Sequence, residues 1–192
     1  MQTPIALTFT RRISLRNTAL MDALLVVAGS LIVAGLAQIR IPLPFTPVPL
    51  TGQTLGVLLI AAALGRSHGA ASLVLYLVEG ILGLPVFAGG PLGIARLLGP
   101  TGGYLIGFIA AAFLVGYLAE RGMDRDWRRV LAMFSAGMAV IYLFGVAWLA
   151  TFTGAKIAFL AGLWPFLPGD IIKAICAAAL LPLGRTLVNN LS

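Results

Sequence analysis

Six blocks of mostly apolar sequence, divided by short polar, basic or glycine- and proline-rich breaks, take up nearly all of this chain. They fall at about 19–39, 52–64, 69–84, 99–119, 130–152 and 164–187. A membrane-crossing helix needs roughly 20 mostly apolar residues, with a range of about 17–25. The pattern therefore predicts an all-α membrane protein with six transmembrane helices. The second block is short, so its helix must tilt or be shielded by protein. The sixth can break at Pro182.

The breaks differ in kind. Gly65-Arg66-Ser67-His68 reads as a tight turn. Pro42-Leu-Pro-Phe-Thr-Pro-Val-Pro49 carries four prolines in eight residues, which forbids a helix and favours stiff, extended backbone. It reads as a pre-ordered lid. Gly83–Tyr104 is rich in glycine and cannot be the middle of a membrane helix. Irregular backbone survives in lipid only inside protein or along a wet cavity, so this stretch reads as a capping or re-entrant loop on a binding cavity. The next helix is expected to begin at Gly99-Pro100-Thr101, with proline in its first turn. Glu120–Arg129 is the most charged loop, and Gly154–Leu163 reads as a short linker.

Composition agrees with the block pattern. Of 192 residues, 60% are hydrophobic and 10% charged, far from a soluble domain. The chain reads as a single integral membrane domain, 1–192, opened by a basic cytoplasmic lead, 1–18. No room remains for an ATPase, so ATP-driven transport would need another subunit. The net charge of +7 flanks apolar segments, which fits topology and membrane lipid and no nucleic acid. With one cysteine (Cys176) and one histidine (His68, read as a solvated surface residue), no metal site, nucleophile pair or cofactor is expected.

Charge also orients the chain. With six spans, Arg11, Arg12, Arg16, Arg66, Arg121, Arg125, Arg128, Arg129 and Arg185 fall on one side, and Arg40, Arg96 and Lys156 on the other. This nine-to-three split places both termini in the cytoplasm. The proline lid, Glu79, the glycine-rich loop and Asp170/Lys173 then converge on the outer half, as an outward-facing pocket.

Asp170 and Lys173 are the strongest site candidates. They are three residues apart, on one helical face, just inside the start of the sixth span. Opposite charges at that depth face a cavity rather than lipid, as a buried ion pair or as ligand-binding groups. Glu79 is expected to face the cavity or to pair with Arg96. Thr51 and Gln53 are polar groups at the start of the second span, with a helix N-cap as the other role for Thr51. Phe45, Phe87 and Tyr104 are candidate apolar walls or ordinary packing aromatics. Arg96, or the N–H groups of residues 101–103, could meet an anion. Ala19 and Ala23 form a small-xxx-small face of the first span, suited to close helix packing.

Several of these stretches resemble one family. PVFAGG (85–90) with its Gly89–Gly90 pair, GPTGGY (99–104), FTPVPLTGQTLG with Gln53, Ala19-Leu-Met-Asp-Ala23 and Gly169-Asp170-Ile-Ile-Lys173 are similar to the motifs of the BioY family. These are biotin-binding S components of energy-coupling-factor (ECF) vitamin transporters. The resemblance implies that Asp170 and Lys173 contact the biotin head group. It also implies that Gln53, Thr51 and the glycine-rich loop line the site, and that Ala19 and Ala23 dock on a transmembrane coupling subunit. That subunit and two ATP-binding subunits would complete the transporter. Biotin would order the first loop over the site, and docking would reorient the subunit. Other readings are an S component for another vitamin and a self-sufficient proton-coupled transporter using Asp170 or Glu79. An intramembrane enzyme lacks a catalytic set here.

Overall fold

Helix α1 (Thr18–Gln38) opens the computed structural model, which describes residues 18–90 and 92–190. The expected basic lead, with Arg11, Arg12 and Arg16, lies outside the described residues apart from Thr18. A run of apolar and small residues without proline, broken only by Asp22 before Gln38, makes α1 a helix. It gives way to a two-stranded ribbon, β1 (Arg40–Ile41) against β2 (Leu50–Thr51), antiparallel and in register Arg40 to Thr51. The prolines of 42–49 form the turn between these strands, where a missing N–H does least harm.

The second and third apolar blocks form α2 (Gln53–Ile81), a helix of two arms broken at Gly65. There φ is 79° and ψ is 179°, a conformation that glycine adopts without a Cβ penalty. The chain doubles back at this point. A Cβ on Gly69 would lie 2.9 Å from Ala61 Cα, and Tyr76 in the second arm reaches Gln53 at the start of the first. The expected turn at 65–68 is thus a hairpin point. His68 belongs to the second arm, where its Nε2 lies 3.2 Å from Asp22 Oδ1 of α1. The expected solvated histidine is therefore half-buried in an interhelix contact.

The glycine-rich stretch holds a single short helix, α3 (Ile94–Leu98). Helix α4 (Gly102–Glu120) starts after Thr101, so Pro100 stands before the helix rather than in its first turn. Helix α5 (Trp127–Thr153) follows the charged turn. The expected linker 154–163 is instead mostly helical, as α6 (Ala155–Gly162), bounded by Gly154 at φ 81° and Leu163 at φ −126°. A 3-10 turn (Trp164–Phe166) leads into α7 (Leu167–Asn190), which continues past Pro182 rather than breaking there.

The α2 hairpin is the centre of the bundle. It packs against α1 on one side and α4 on the other; α5 covers α4, and α7 lies on α5 and α2. Gly116 of α4 rests on the backbone of Gly65 and Arg66, where no side chain would fit. Inside lie Tyr76, Phe134, Leu58, Leu73 and Met133. Outside, large apolar side chains are exposed on every long helix, among them Leu24 and Leu31 of α1, Val78 of α2, Phe113 of α4, Leu143 of α5 and Ile171 of α7. A water-soluble surface does not present such a continuous apolar coat. Among the described residues, five helical stretches are long and apolar enough to cross a membrane: 19–38, 53–81, 102–120, 127–153 and 155–179. The protein is a multi-pass membrane protein. The six expected spans become five such stretches because two of them are arms of the α2 hairpin.

Candidate functional site

The start of α7 sets the polar end of the site. Pro168 is tolerated there because the first N–H groups of a helix have no intrahelical partner. Asp170 falls in the first turn, where the helix dipole favours a negative charge, and Lys173 follows one turn later on the same face. Lys173 Nζ donates to Asp170 Oδ1 at 3.0 Å and to Thr54 Oγ1 of α2 at 2.8 Å. Tyr142 of α5 donates its phenolic hydrogen to Asp170 Oδ2. The carboxylate is buried and the lysine four-fifths buried, with side-chain exposures of 7% and 19%.

A second network holds the opposite wall. Gln53 Nε2 donates to the Tyr76 hydroxyl at 2.6 Å, and that hydroxyl donates to the Val86 carbonyl at 3.1 Å. The Thr51 hydroxyl donates to Gln53 Oε1 at 3.1 Å and accepts the Gln53 backbone N–H at 3.3 Å. Thr51 lines the cavity, while the N-cap position expected as its other role belongs to Gly52; the Thr51 hydroxyl accepts only the N–H of the first helical residue. Phe87, next to Val86, stands edge-on to Tyr76 with ring centres 5.4 Å apart. Its ring lies directly on Gly80, which leaves no space for a Cβ. Gln38 Nε2 of α1 also donates to the Pro85 and Val86 carbonyls, at 3.3 and 3.4 Å, so hydrogen bonds from two helices and one ring seat the glycine-rich loop. At its far end Trp148 Nε1 donates to the Gly99 carbonyl at 2.9 Å, and Tyr104 donates to the Gly162 carbonyl at 2.7 Å.

Between the two networks is a partly open cavity. Thr51, Gln53, Phe87, Arg96, Tyr104, Asp170 and Lys173 line it, with Val48 and Pro49 from the proline turn. Leu105, Phe108, Ile141 and Phe166 complete an apolar wall. Tyr142 and Thr54 also line it and were not foreseen. A phenol in the middle of an apolar span is the signal that could have found Tyr142; Thr54 carries none.

The remaining candidates stand elsewhere. Phe45 is 63% exposed at the tip of the proline turn. Gly89 and Gly90 adjoin the wall residue Ala88 without lining the cavity. Glu79 accepts a 3.1 Å hydrogen bond from Ser30 of α1 and makes no ion pair with Arg96 among the described residues. Its Oε2 is buried without a partner. Of the N–H groups at 101–103, that of Gly102 already donates to the Gly99 carbonyl at 3.0 Å. Ala19 and Ala23 are exposed on the outer face of α1. Burial, and then the like charge of Arg40, draw the Arg96 guanidinium below its ordinary value, though an arginine remains charged.

The polar end can recognise a group that both donates and accepts. Lys173 uses two of its three N–H bonds on Thr54 and Asp170, which leaves one, together with the Thr54 hydroxyl hydrogen, for a carbonyl. Asp170 and the Tyr142 oxygen keep lone pairs for N–H donors.

Comparisons with known proteins accord with this geometry. A "Biotin transporter BioY" of Rhizobium etli is 40% identical over 172 residues, spanning 85% of this chain and 88% of the relative. A "Probable biotin transporter BioY" of Pyrococcus horikoshii is 44% identical over 138 residues, spanning 72% and 81%. The crystal structure of an S-component for biotin from an ECF-type ABC transporter superposes with a TM-score of 0.79 at 27% identity, covering 90% of this chain and 94% of that one. The BioY family profile matches residues 9–190, and with these relatives it establishes that this chain belongs to the BioY family.

Proposed function

We propose that this protein captures biotin in the cavity and serves as the S component of an ECF-type transporter. One observation carries the reading: a cluster of Asp170, Lys173, Tyr142 and Thr54 caps one end of a largely apolar cavity in a BioY-family chain. A ureido ring offers two N–H donors and one carbonyl. Asp170 and the Tyr142 oxygen accept the first, and Lys173 with Thr54 donates to the second. The sulfur ring and the valeryl chain then lie along Phe87, Tyr104, Phe108 and Phe166. Arg96 lies in the wall to meet the carboxylate. Such a cluster is poor support for the fold alone, since desolvation of a buried ion pair roughly offsets its attraction.

Nothing in this reading is catalytic; the task is capture and hand-over. Energy comes from a transmembrane coupling subunit and two ATP-binding subunits, docked against the Ala19/Ala23 face of α1. The whole chain acts as one membrane-embedded domain. Its termini are cytoplasmic and its cavity opens outward. This orientation is supported by Arg66, Arg121, Arg125, Arg128 and Arg129 at one end of the bundle against Arg40, Arg96 and Lys156 at the cavity end.

Calorimetry of purified protein in detergent tests the capture role. The parent binds biotin tightly, and Asp170→Asn and Lys173→Ala bind far more weakly while still melting cooperatively. A folded parent that ignores biotin overturns the assignment. Orientation is tested in a Cys176→Ser background. An impermeant maleimide labels Lys156→Cys on intact cells and Arg129→Cys only after lysis; the reverse order inverts the topology.

A further inference from the structure

The ribbon between α1 and α2 brings a second cation to the cavity mouth. Arg40 is paired in register with Thr51 across the two strands. Directly opposed residues of an antiparallel pair project from the same face. Thr51 lines the cavity, so Arg40 projects toward the same side.

Its head group ends beside that of Arg96. The point where Gly89 would carry a Cβ lies 3.0 Å from Arg40 Nη1, and the Arg96 Nη2 atom is nearer still. Two guanidinium groups 56 positions apart in the chain thus reach one spot over Gly89. Neither makes an ion pair with a carboxylate among the described residues. Arg96 Nε is moreover buried without a hydrogen-bond partner. Two like charges facing each other with no counter-ion repel; a bound anion between them reverses the sign of that interaction. The same repulsion contributes to the lowered pKa of Arg96.

We infer that Arg40 and Arg96 form a two-guanidinium clamp for the ligand's carboxylate, with Arg40 the residue that selects the free acid over its neutral derivatives. The inference rests on the biotin reading and names a specificity residue within that site. The geometry assigns the two arginines unequal parts. Arg96 belongs to the wall and is half-buried, whereas Arg40 is exposed on the ribbon beside the proline turn. Arg40 therefore engages from the solvent side as the carboxylate arrives. Because Arg40 and the cavity residues Val48 and Pro49 belong to the same ribbon and turn, the carboxylate also ties that turn to the glycine-rich loop. A neutral amide or ester leaves the two charges opposed and gains neither effect.

The test compares biotin with biotin amide by calorimetry in detergent, on the parent, Arg40→Gln and Arg40→Lys. A charge-assisted hydrogen bond at a partly exposed site corresponds to roughly a five- to tenfold change in affinity. The parent prefers biotin to the amide. Arg40→Gln loses about that factor for biotin and nothing for the amide, and Arg40→Lys keeps much of the preference. Raised salt shrinks the preference of the parent more than that of Arg40→Gln. If Arg40→Gln binds both ligands as the parent does, or weakens both equally, the clamp is overturned while the biotin reading stands. If the folded parent binds neither ligand, the biotin reading itself fails and the clamp with it.

Discussion

Two charged pairs stand at opposite ends of this bundle, and their surroundings give them different jobs. At the hairpin end, Arg66 Nε lies 3.5 Å from Glu120 Oε2, and the Arg66 backbone N–H donates to Glu120 Oε1 at 2.9 Å. That N–H opens the second arm of α2, where no intrahelical acceptor exists, so Glu120 of α4 supplies the missing cap. Both carboxylate oxygens are engaged by the turn itself, and the Arg66 side chain is 35% exposed. At the cavity end, Asp170 and Lys173 are also in contact, yet they retain donors and lone pairs that face open space. The first pair closes a turn; the second is completed by a ligand. A charged pair in a membrane protein points to a binding site when its hydrogen-bonding capacity remains partly unused and a cavity adjoins it.

Substitutions can break this contrast, and the largest effect is expected at Asp170. Asp170→Ala removes the acceptor of both Lys173 and Tyr142 and should lower biotin affinity about a hundredfold or more, read by calorimetry. Equal loss from Glu120→Ala would erase the distinction between the two ends. Gly80→Val comes next. A side chain there occupies the seat of the Phe87 ring, so overpacking should cost about 1–3 kcal/mol on thermal melting in detergent, and biotin affinity should fall with it. Gln53→Leu is milder. It leaves the Tyr76 hydroxyl without its donor and loosens the hold on Val86 and Phe87, so affinity should drop about tenfold with cooperative melting retained. The smallest effect belongs to Glu120→Gln, which still accepts the Arg66 N–H. Stability should change by less than about 1 kcal/mol, discounted for the exposed arginine, and biotin affinity should not move.

The sequence was most legible where one-dimensional signals suffice. Long apolar runs located the helices within a few residues, as at α1 and α4. Four prolines marked the ribbon turn, and Gly65 marked the reversal, because backbone chemistry is local. Spacing put Asp170 and Lys173 on one face, and the hydrogen bond between them follows from that spacing alone. Legibility failed where a partner comes from another helix. Glu79 has Arg96 as its obvious opposite charge, yet the rotation of α2 turns it to Ser30 of α1. Phe45 has the size of a cavity wall, but the ribbon turn carries it outward while Val48 and Pro49 face in. The linker after α5 reads as a break because it starts with glycine, though only its two end residues, Gly154 and Leu163, depart from helix.

What the chain determined by itself is therefore its solvent and its parts: a membrane protein, its helices and their breaks, the uneven distribution of arginines, and two charges on one turn of α7. These follow from hydropathy, backbone restriction and helical periodicity, each of which acts over a few neighbouring residues. The tertiary structure alone decided which distant groups share the cavity. Thr54 meets Lys173 across 119 positions, Tyr142 meets Asp170 across 28, and Arg40 meets Arg96 over Gly89. Such meetings depend on how far each helix is rotated and how closely small residues let it approach, and packing sets both only once all the helices are in place.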